Sequence, residues 1–554
     1  MRFKKLMAGL LTATMALGVF GGSLMMSPES VNAASFTDLD QDEIVAAMGA
    51  GWNLGNQLEA SISGVPYETA WGNPTITENL IKAVKSAGFS TIRVPVSYLN
   101  KIGSDYTIDS SWLDRIQEVV DMCIDNDLYV IINMHGDGYH TVDGGWLLCD
   151  STDQTTIRAK YQACWKQIAT RFKDYDEHLI FESMNEEFDG TYGTPNTTYY
   201  SNINELNQIF VDTVRQTGGN NDKRWLMVPG WNTNIEYTAG NYGFEIPSDN
   251  YLSSSVASGE KRIMISVHYY DPWGFCGEES TTTTQWGSSA TDSSKVASYG
   301  DESYLSSQFY KLYSAFTSKG YPVVIGEYGA IDKSAYDSAN TACRVEWTQK
   351  VCTYAKQYGC VPVWWDNGYT GTYGFALFNR NTCTVTQQNI IDAIIGVMGT
   401  GNSSTADTLE GTYYIKSYFS GMYLDVVNGL SDNNANIQQW YYNGYDAQKF
   451  KLVSAGDGYY YMYTGASGYE KVVDVAGRST ADGANVLQYT YKGAANQKFK
   501  LVEVSDGVYA ILTGVTSGNS CLDVYGWSTE AGGNIAQWTY WGGACQLWYL
   551  EKAN

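Results

Sequence analysis

Past its first 33 residues the sequence has no long hydrophobic run, and its ten cysteines include no CxxC pair. The lack of further hydrophobic runs excludes additional membrane-spanning helices. The cysteines do not cluster with any of the four histidines, which argues against a structural zinc site. Disulfides are left open, because cysteine spacing alone does not define which residues pair.

Basic residues are also scarce, with 35 Lys and Arg against 59 Asp and Glu, a formal net charge of −24. Removal of the first 33 residues would take away Arg2, Lys4, Lys5 and Glu29, a net +2, and leave about −26. Such acidity excludes nucleic acid and anionic lipid as partners and suits a neutral ligand. The 44 Tyr and 17 Trp fit ordinary cores, or surfaces that stack on the apolar face of a sugar ring.

The N-terminal segment predicts a secretory signal at residues 1–33. "MRFKK" is a positive start, "LMAGLLTATMALGVFGG" an apolar stretch, and "VNA" offers small residues for cleavage after Ala33. A membrane anchor is the alternative. No cysteine precedes Cys123, so a lipid anchor would have no attachment point. We expect a secreted protein whose mature chain starts near Ala34.

A chain of 554 residues is too long for one compact core, so two or three domains are expected. The stretch "TGNSSTADTLEG", about 400–411, is small and polar and predicts a linker. We therefore divide the chain into a first domain at 34–398, a linker at 399–410 and a second domain at 411–554.

The second domain repeats with a period of 49 residues, which predicts a threefold all-β unit. Three registers share this spacing: Asp425, Asp474 and Asp523; Trp440, Tyr489 and Trp538; Gln448, Gln497 and Gln546.

The first domain alternates β-type runs with amphipathic helical stretches such as "ENLIKAVKSAG". Eight such runs predict a (β/α)₈ TIM-type barrel. The runs lie at 51–57, 90–97, 128–136, 178–186, 224–232, 262–271, 321–329 and 360–368.

Eight polar or aromatic side chains that could act on a ligand lie within these runs, most of them toward the C-terminal ends. In a barrel they would converge at the C-terminal face, where active sites form. They are Arg93, His135, Asn185, Glu186, His268, Tyr270, Glu327 and Trp365.

Two carboxylates on different strands, Glu186 and Glu327, suit cleavage of a glycosidic bond. One acid protonates the leaving oxygen, and the other carboxylate acts on the opposite side of the sugar. A separation near 5 Å would give a nucleophile and retention of configuration, whereas a wider gap would admit water and give inversion. Strand positions alone leave both outcomes open.

The ordered motifs "TIRVP", "NMH", "MNE", "HYYDP", "VIGEYG" and "WWDNG" resemble glycoside hydrolase family five, over roughly residues 36–398. The segment "GWNLGNQLEA…ETAWGNP" is similar to the branch rich in endo-β-1,4-glucanases and xyloglucanases. The resemblance implies that Glu186 is the acid/base, that Glu327 is the nucleophile, and that Asn185 bonds the sugar 2-hydroxyl.

The resemblance also implies roles for the other residues at this face. Arg93 and Tyr270 would hold the nucleophile ionised, and His135 and His268 would hydrogen-bond around the reacting sugar and the acid/base. Trp365 would stack under that sugar. The structural alternatives are a barrel ion pair for Arg93, interior histidines, and a core position for Trp365.

Two features depart from the family pattern. Glu187 occupies the position after the acid/base, where the family usually has proline, and we interpret it as a loop residue. Glu182, deeper along the strand, is interpreted as structural or as a support for the site. The loop "HGDGYHTVDGGWLL" after strand three is also unusual, and we expect it to reshape the sugar subsites.

The 49-residue repeats resemble a ricin-type β-trefoil carbohydrate-binding module. The second candidate site, Asp474 with Tyr489, Asn496 and Gln497, is the most complete. In the third, Cys545 stands where the bracing asparagine would be, and it could instead pair with Cys521. Phe450, Phe499 and Trp548 are expected in the trefoil core.

Together these features predict a secreted, retaining endo-β-1,4-glucanase that acts on a plant cell-wall polysaccharide as a monomer, without metal or organic cofactor. Alternatives within the class are an endoxylanase, a xyloglucanase or a mannanase. An alternative from another class is a non-catalytic, lectin-like polysaccharide binder. The trefoil could also target a polymer that differs from the substrate.

Overall fold

A computed structural model describes residues 36–399, 409–456, 459–505, 507–516 and 518–553. The predicted signal segment and residues 400–408 of the predicted linker lie outside these ranges. No helix in the described part of the chain is long and apolar enough to cross a membrane.

The first domain is a closed barrel of eight parallel strands in sequence order, and strand one pairs with both strand two and strand eight. The strands are β1 Gly51–Asn53, β2 Thr91–Val94, β3 Tyr129–Ile132, β4 Leu179–Glu182, β5 Leu226–Asn234, β6 Ile263–Tyr269, β7 Val323–Tyr328 and β8 Cys360–Trp364. Seven of the eight predicted runs contain one of these strands, and the fifth run overlaps β5, which extends two residues further.

Helices cover the outside of the barrel and alternate with its strands. The helices are α1 Gln41–Met48, α2 Glu78–Ser86, α3 Ser110–Ile124, α4 Gln154–Phe172, α5 Thr197–Arg215, α6 Ile235–Ala239, α7 Trp273–Cys276, α8 Glu302–Ala315, α9 Asn340–Gln357 and α10 Gln388–Met398. Short hairpins at 61–66 and 378–385 lie in the loops that follow β1 and β8.

Seven of these ten helices begin at a residue whose side chain caps the first turn. Thr77 accepts a hydrogen bond from the backbone of α2, and Asp109 does the same for α3. Their apolar residues lie on one side, and in α2 Leu80, Ile81 and Val84 are buried against the barrel.

The barrel interior has an apolar lower part and a polar upper part. Side chains such as Met227 and Val324 fill the lower part, and Ile44 and Met48 of α1 close it. Further toward the C-terminal ends of the strands, the buried side chains become polar. They are Asn53, Arg93, Asn133, Glu182 and Ser266. This change in polarity places the chemistry at the C-terminal face.

The second domain has twelve strands in three repeats of four, as the 49-residue period predicts. They are β9 Gly411–Ser417, β10 Tyr423–Val426, β11 Ile437–Trp440, β12 Lys449–Gly456, β13 Tyr459–Thr464, β14 Lys471–Val475, β15 Ala484–Thr490, β16 Phe499–Ser505, β17 Val508–Thr513, β18 Ser520–Val524, β19 Ile535–Thr539 and β20 Leu547–Lys552. Phe450, Phe499 and Trp548 are fully buried in its core, as expected.

Three asparagines, one from each repeat, form a closed ring of hydrogen bonds. The side-chain amide of Asn436 donates to Asn534 at 2.8 Å, that of Asn534 to Asn485 at 2.9 Å, and that of Asn485 back to Asn436 at 2.9 Å. These residues are 49 positions apart, so the ring follows the repeat and ties the three units together.

Buried glutamines join each repeat to the next. Gln488 in the second repeat donates to carbonyls at 430 and 432 in the first. Gln537 in the third donates to carbonyls at 479 and 481 in the second, and Gln439 in the first donates to carbonyls at 528 and 530 in the third. The circle of contacts makes the three repeats one unit.

Candidate active site

A buried guanidinium organises the upper part of the barrel. Arg93, on β2, is fully buried and donates from Nε to Glu182 at 2.7 Å. Its two terminal nitrogens donate to Glu327 at 2.9 Å and to Asn185 at 2.7 Å. Asn53 accepts a further bond at 2.9 Å. Arg93 is therefore both a barrel ion pair and a neighbour of the candidate nucleophile, so the two interpretations are compatible.

Glu182 is fully buried at the end of β4 and is saturated by donors. Besides Arg93, it accepts hydrogen bonds from Asn133 at 3.0 Å and from Ser266 at 2.7 Å. A carboxylate with these three partners holds the cation in place, in line with the supporting role expected of it.

Glu186 lies just beyond β4 and bonds side chains from two other parts of the mouth. His268 Nδ1 is 2.7 Å from its Oε1, and the Tyr139 hydroxyl donates to its Oε2 at 3.1 Å. Asn185 donates to the same Tyr139 hydroxyl at 2.7 Å and lies 3.3 Å from His135 Nε2.

Glu327 ends β7 and faces Glu186. Tyr270 donates to Glu327 Oε2 at 3.0 Å, and Arg93 bonds its other oxygen. One oxygen of each glutamate and one ring nitrogen of His268 all lie within 4.8 Å of one another. Such a set could ligate a cation, but the Arg93 guanidinium already supplies positive charge beside Glu327.

Trp365 follows β8 and forms one wall of the site. It is half-buried, and its ring stacks on His135 with centroids 6.0 Å apart and an interplanar angle of 7°. The neighbouring Trp364 is fully buried and bonds the carbonyl of Phe375, so it belongs to the core. All eight residues predicted at the barrel mouth therefore lie together.

The first domain matches a known protein family. The family model "Cellulase (glycosyl hydrolase family 5)" matches residues 56–371. Endoglucanase A of Paenibacillus barcinonensis is 59% identical over 396 residues, which are 71% of this chain and 98% of that protein. The chain belongs to glycosyl hydrolase family 5.

Solved family 5 structures resemble the same region. A xyloglucanase of Paenibacillus pabuli, solved with a ligand, is 62% identical, covers 64% of this chain and 99% of its own, and has a TM-score of 0.63. A broad-specificity endoglucanase of Bacteroides salanitronis is 38% identical, covers 66% of this chain and 98% of its own, and has a TM-score of 0.61. The chain is thus an O-glycoside hydrolase of the endoglucanase family.

The second domain matches the "Ricin-type beta-trefoil lectin domain-like" model three times, at residues 403–489, 470–538 and 495–554. The overlapping matches follow the repeats, so the family 5 enzyme carries a lectin-like domain in the same chain.

The pKa values of the two glutamates are shifted in opposite directions. Burial opposes ionisation of Glu186, but the hydrogen bond and charge of His268 outweigh it and lower the pKa of Glu186. Burial raises the pKa of Glu327, the charge of Glu186 adds to this, and His268 and Arg93 offset only part of it. The family resemblance implies that Arg93 holds Glu327 ionised, whereas in this structure Arg93 offsets the burial of Glu327 only in part.

The reason is how the positive groups are shared. Arg93 bonds both Glu182 and Glu327, so Glu182 neutralises part of the charge that Arg93 presents to Glu327. His268 lies 2.7 Å from Glu186 and 3.6 Å from Glu327. In the free site the two carboxyls therefore titrate as a coupled pair.

Tyr139 is a site residue that the sequence analysis did not single out. It lies in the unusual loop after β3, four residues beyond His135, so no strand end marks it. Only its place in that loop could have drawn attention to it, since the loop was expected to shape subsites.

Glu187 is buried, with 2% of its surface exposed, and is not a solvated loop residue. Its side chain points away from Glu186 and accepts a hydrogen bond from the backbone N–H of Cys149 at 2.8 Å. Burial raises the pKa of Glu187 well above its usual range. The two adjacent glutamates thus have different environments, as the extended chain predicted.

The second trefoil pocket contains the full predicted set. Asn496 and Gln497 each donate to the Asp474 carboxylate at 2.8 Å, and Tyr489 is half-buried beside it. The Asn496 side-chain oxygen is buried with no protein partner among the described residues. A free acceptor next to a braced carboxylate suits sugar hydroxyls.

The first and third pockets are braced differently. In the first, Gln438 donates to Asp425 at 3.0 Å, Gln448 bonds the loop backbone, and 39% of Trp440 is exposed. Gln438 was missed because its register equivalents, Leu487 and Ala536, are apolar.

In the third pocket the Cys545 thiol donates to Asp523 at 3.5 Å, Gln546 bonds the loop backbone, and Trp538 is 36% exposed. Cys545 is not paired with Cys521, and all ten cysteines are free thiols. A weak thiol donor replaces the amide that braces the second pocket.

Replacing His268 with Asn should move both limbs of the pH profile of kcat/KM to higher pH by about one unit. His268 lowers the pKa of both glutamates, so its loss raises both pKa values. The measurement is the pH dependence of kcat/KM, which reports groups of the free enzyme. His178→Asn, before β4 at the opposite end of the barrel, is the control. Limbs that stay in place or move to lower pH would contradict the role of His268 in lowering the pKa of both glutamates.

Proposed function

We propose that this protein is a secreted, retaining endo-β-1,4-glucanase that cleaves internal bonds of a plant cell-wall glucan by double displacement. The observation that carries the proposal is the separation of the two carboxylates, whose nearest oxygens lie within 4.8 Å. Retaining enzymes hold their carboxyl groups about 5–5.5 Å apart, whereas inverting enzymes need about 6.5–9.5 Å to admit water.

In the first step Glu186 gives a proton to the glycosidic oxygen while Glu327 attacks the anomeric carbon from the opposite face. The bond to the leaving sugar breaks, and an ester links the glycosyl group to Glu327. Tyr270 and Arg93, each bonded to one oxygen of Glu327, aim that carboxylate. The leaving oxygen takes a place at Glu186 that His268 partly fills in the free enzyme.

In the second step Glu186, now ionised, takes a proton from water, and the water oxygen attacks the anomeric carbon and releases Glu327. Two inversions give net retention. The pair must carry one proton at the start, and its low-dielectric site and close spacing favour this singly protonated form. Trp365 supplies a flat surface under the reacting sugar.

Xyloglucan is the second candidate substrate. The solved enzyme of Paenibacillus pabuli, which is 62% identical, is a xyloglucanase. A second solved xyloglucanase, from Bacteroides ovatus, contains a heptasaccharide. It is 32% identical, covers 65% of this chain and 77% of its own, and has a TM-score of 0.59. The relatives named endoglucanase support an unbranched β-1,4-glucan. Xylan and mannan are the remaining alternatives.

For the trefoil, we propose that it holds the enzyme on a polymer through its sugar pockets, chiefly the second.

Export rests on the predicted N-terminal signal, and N-terminal sequencing of the secreted protein would test cleavage after Ala33. A purely lectin-like binder is disfavoured, because the catalytic pair is present with its supporting cation.

Azide trapping should distinguish the roles of the two glutamates, because the two variants should give glycosyl azides of opposite anomeric configuration. Glu327→Gly should lose at least about 1,000-fold of kcat on β-glucan. Both variants receive azide and 2,4-dinitrophenyl β-cellobioside, whose leaving group needs no proton, and the products are read by ¹H NMR. In Glu327→Gly, azide should occupy the nucleophile's place and give the anomer inverted relative to the substrate. In Glu186→Ala, azide should release the glycosyl-enzyme with the β-configuration.

Wild-type hydrolysis followed by NMR should show the β-anomer first. An α-anomer formed first would contradict the retaining mechanism, and wild-type activity in Glu327→Gly would contradict the enzyme assignment.

Parallel product analysis separates the substrate candidates. Soluble cellulose derivative, mixed-linkage glucan and xyloglucan should release mixed oligosaccharides early, as an endo mode requires, whereas xylan and mannan should give at most about a tenth of that rate. A preference for xylan or mannan would refute the glucanase proposal, and xyloglucan hydrolysed at least about tenfold faster than the other glucans would favour the second candidate.

Asp474→Ala should weaken polysaccharide binding by roughly tenfold, more than Asp523→Ala does, because the second pocket keeps both amide donors. Affinity electrophoresis of the full chain, inactivated by Glu327→Gly, measures the retardation on the same polymers. Equal losses in the two variants would show that the amide bracing does not decide which pocket binds. Binding only to polymers that the enzyme does not cleave would mean that the trefoil targets a different polymer.

A further inference from the structure

The loop after β3 brings Tyr139 to the acid/base through hydrogen bonds whose direction is fixed. Arg93 can only donate, so the Asn185 side-chain oxygen accepts and its amide nitrogen donates onward to the Tyr139 hydroxyl at 2.7 Å. The hydroxyl is left with one proton, which it donates to Glu186 at 3.1 Å. Arg93 thus contacts Glu327 directly and reaches Glu186 through two side chains.

Tyr139 is suited to remain a donor. Burial raises the pKa of its phenol well above the usual range, and the charges of Glu186 and Glu327 add to this. It therefore stays protonated throughout the pH range in which the glutamates titrate, and its bond lowers the pKa of Glu186.

A buried carboxylate anchors the loop on one side of Tyr139. Asp137 is fully buried and accepts hydrogen bonds from the backbone N–H groups of Tyr98 and Leu99, at 2.9 and 2.7 Å. The Trp146 ring nitrogen also donates to it at 2.7 Å. Asp137 thus ties the loop to the segment that follows β2.

Glu187 anchors the loop from the other side. Its Oε1 bonds the N–H of Cys149, and its Oε2 fits against Gly138, where an added Cβ would come within 2.0 Å of that oxygen. The backbone of Glu187 follows Glu186 directly. A single residue therefore links the acid/base to both ends of the loop that carries Tyr139.

We propose that Tyr139 is a positioning residue for Glu186, and that the buried Glu187 side chain, packed on Gly138, holds Tyr139 in that place. The proposal rests on the assignment of Glu186 as acid/base. It explains why a carboxyl group, costly to bury, stands where the family usually has proline: its side chain braces a loop that needs glycine at 138.

Tyr139→Phe should impair only steps in which Glu186 moves a proton. On cellotetraose, a substrate with a poor leaving group, kcat/KM should fall about 10- to 100-fold. On 2,4-dinitrophenyl β-cellobioside, whose leaving group needs no proton, kcat/KM should stay within about threefold. The alkaline limb of the pH profile on cellotetraose should move to higher pH by up to about one unit. This limb reports loss of the proton that the coupled pair holds for transfer by Glu186, and a donor that lowers the pKa of Glu186 is gone.

Tyr192→Phe is the matched control, because Tyr192 is 86% exposed and undergoes the same chemical change. It should leave both substrates and the pH profile unchanged. Circular dichroism and Tm establish that each variant is folded.

Glu187→Ala should show the same dependence on leaving group as Tyr139→Phe, whereas Glu187→Gln, which keeps the size and an acceptor for Cys149, should recover most of the activity. The double variant Tyr139→Phe/Glu187→Ala should be no worse on cellotetraose than Tyr139→Phe alone, because both act through one hydroxyl.

Equal losses on both substrates, or an unmoved alkaline limb in Tyr139→Phe, would overturn the role of Tyr139. Additive losses in the double variant would overturn its link to Glu187. The proposed function fails separately, if Glu186→Gln keeps wild-type activity on cellotetraose.

Discussion

The site depends on one cation held inside the barrel. The Arg93 guanidinium is surrounded by Glu182, Glu327, Asn53 and Asn185, and a buried charge of this kind is tolerated only when its hydrogen bonds are satisfied. Since its donors point in fixed directions, the groups that accept them are fixed as well. Both candidate catalytic carboxyls therefore take their positions from the same residue, although they come from strands three apart in the barrel.

Sharing one cation has a chemical consequence. Because Glu182 takes part of the charge of Arg93, the cation offsets the burial of Glu327 only in part, and Glu186 and Glu327 titrate as a pair that shares its proton. Binding of a sugar between Glu186 and His268 would then redistribute that proton.

Sequence patterns predicted the barrel, the trefoil and the grouping of the candidate residues for physical reasons. Parallel strands buried on both faces are continuous apolar runs, and residues at their C-terminal ends must meet at one mouth. The 49-residue period was visible because the pocket residues repeat. Contacts made by loops were not predictable in this way. Tyr139 and Glu187 acquire their partners from the conformation of residues 135–149, and the pKa shifts of Glu186 and Glu327 follow from distances of a few ångströms.

The asparagine ring of the trefoil has a direction: each side chain gives a proton to one neighbour and receives one from the other. A chain holding only two repeats would leave a donor at one end and an acceptor at the other. The three pockets can therefore diverge one repeat at a time, as their different bracing illustrates, but the asparagine ring at the axis closes only when all three repeats are present.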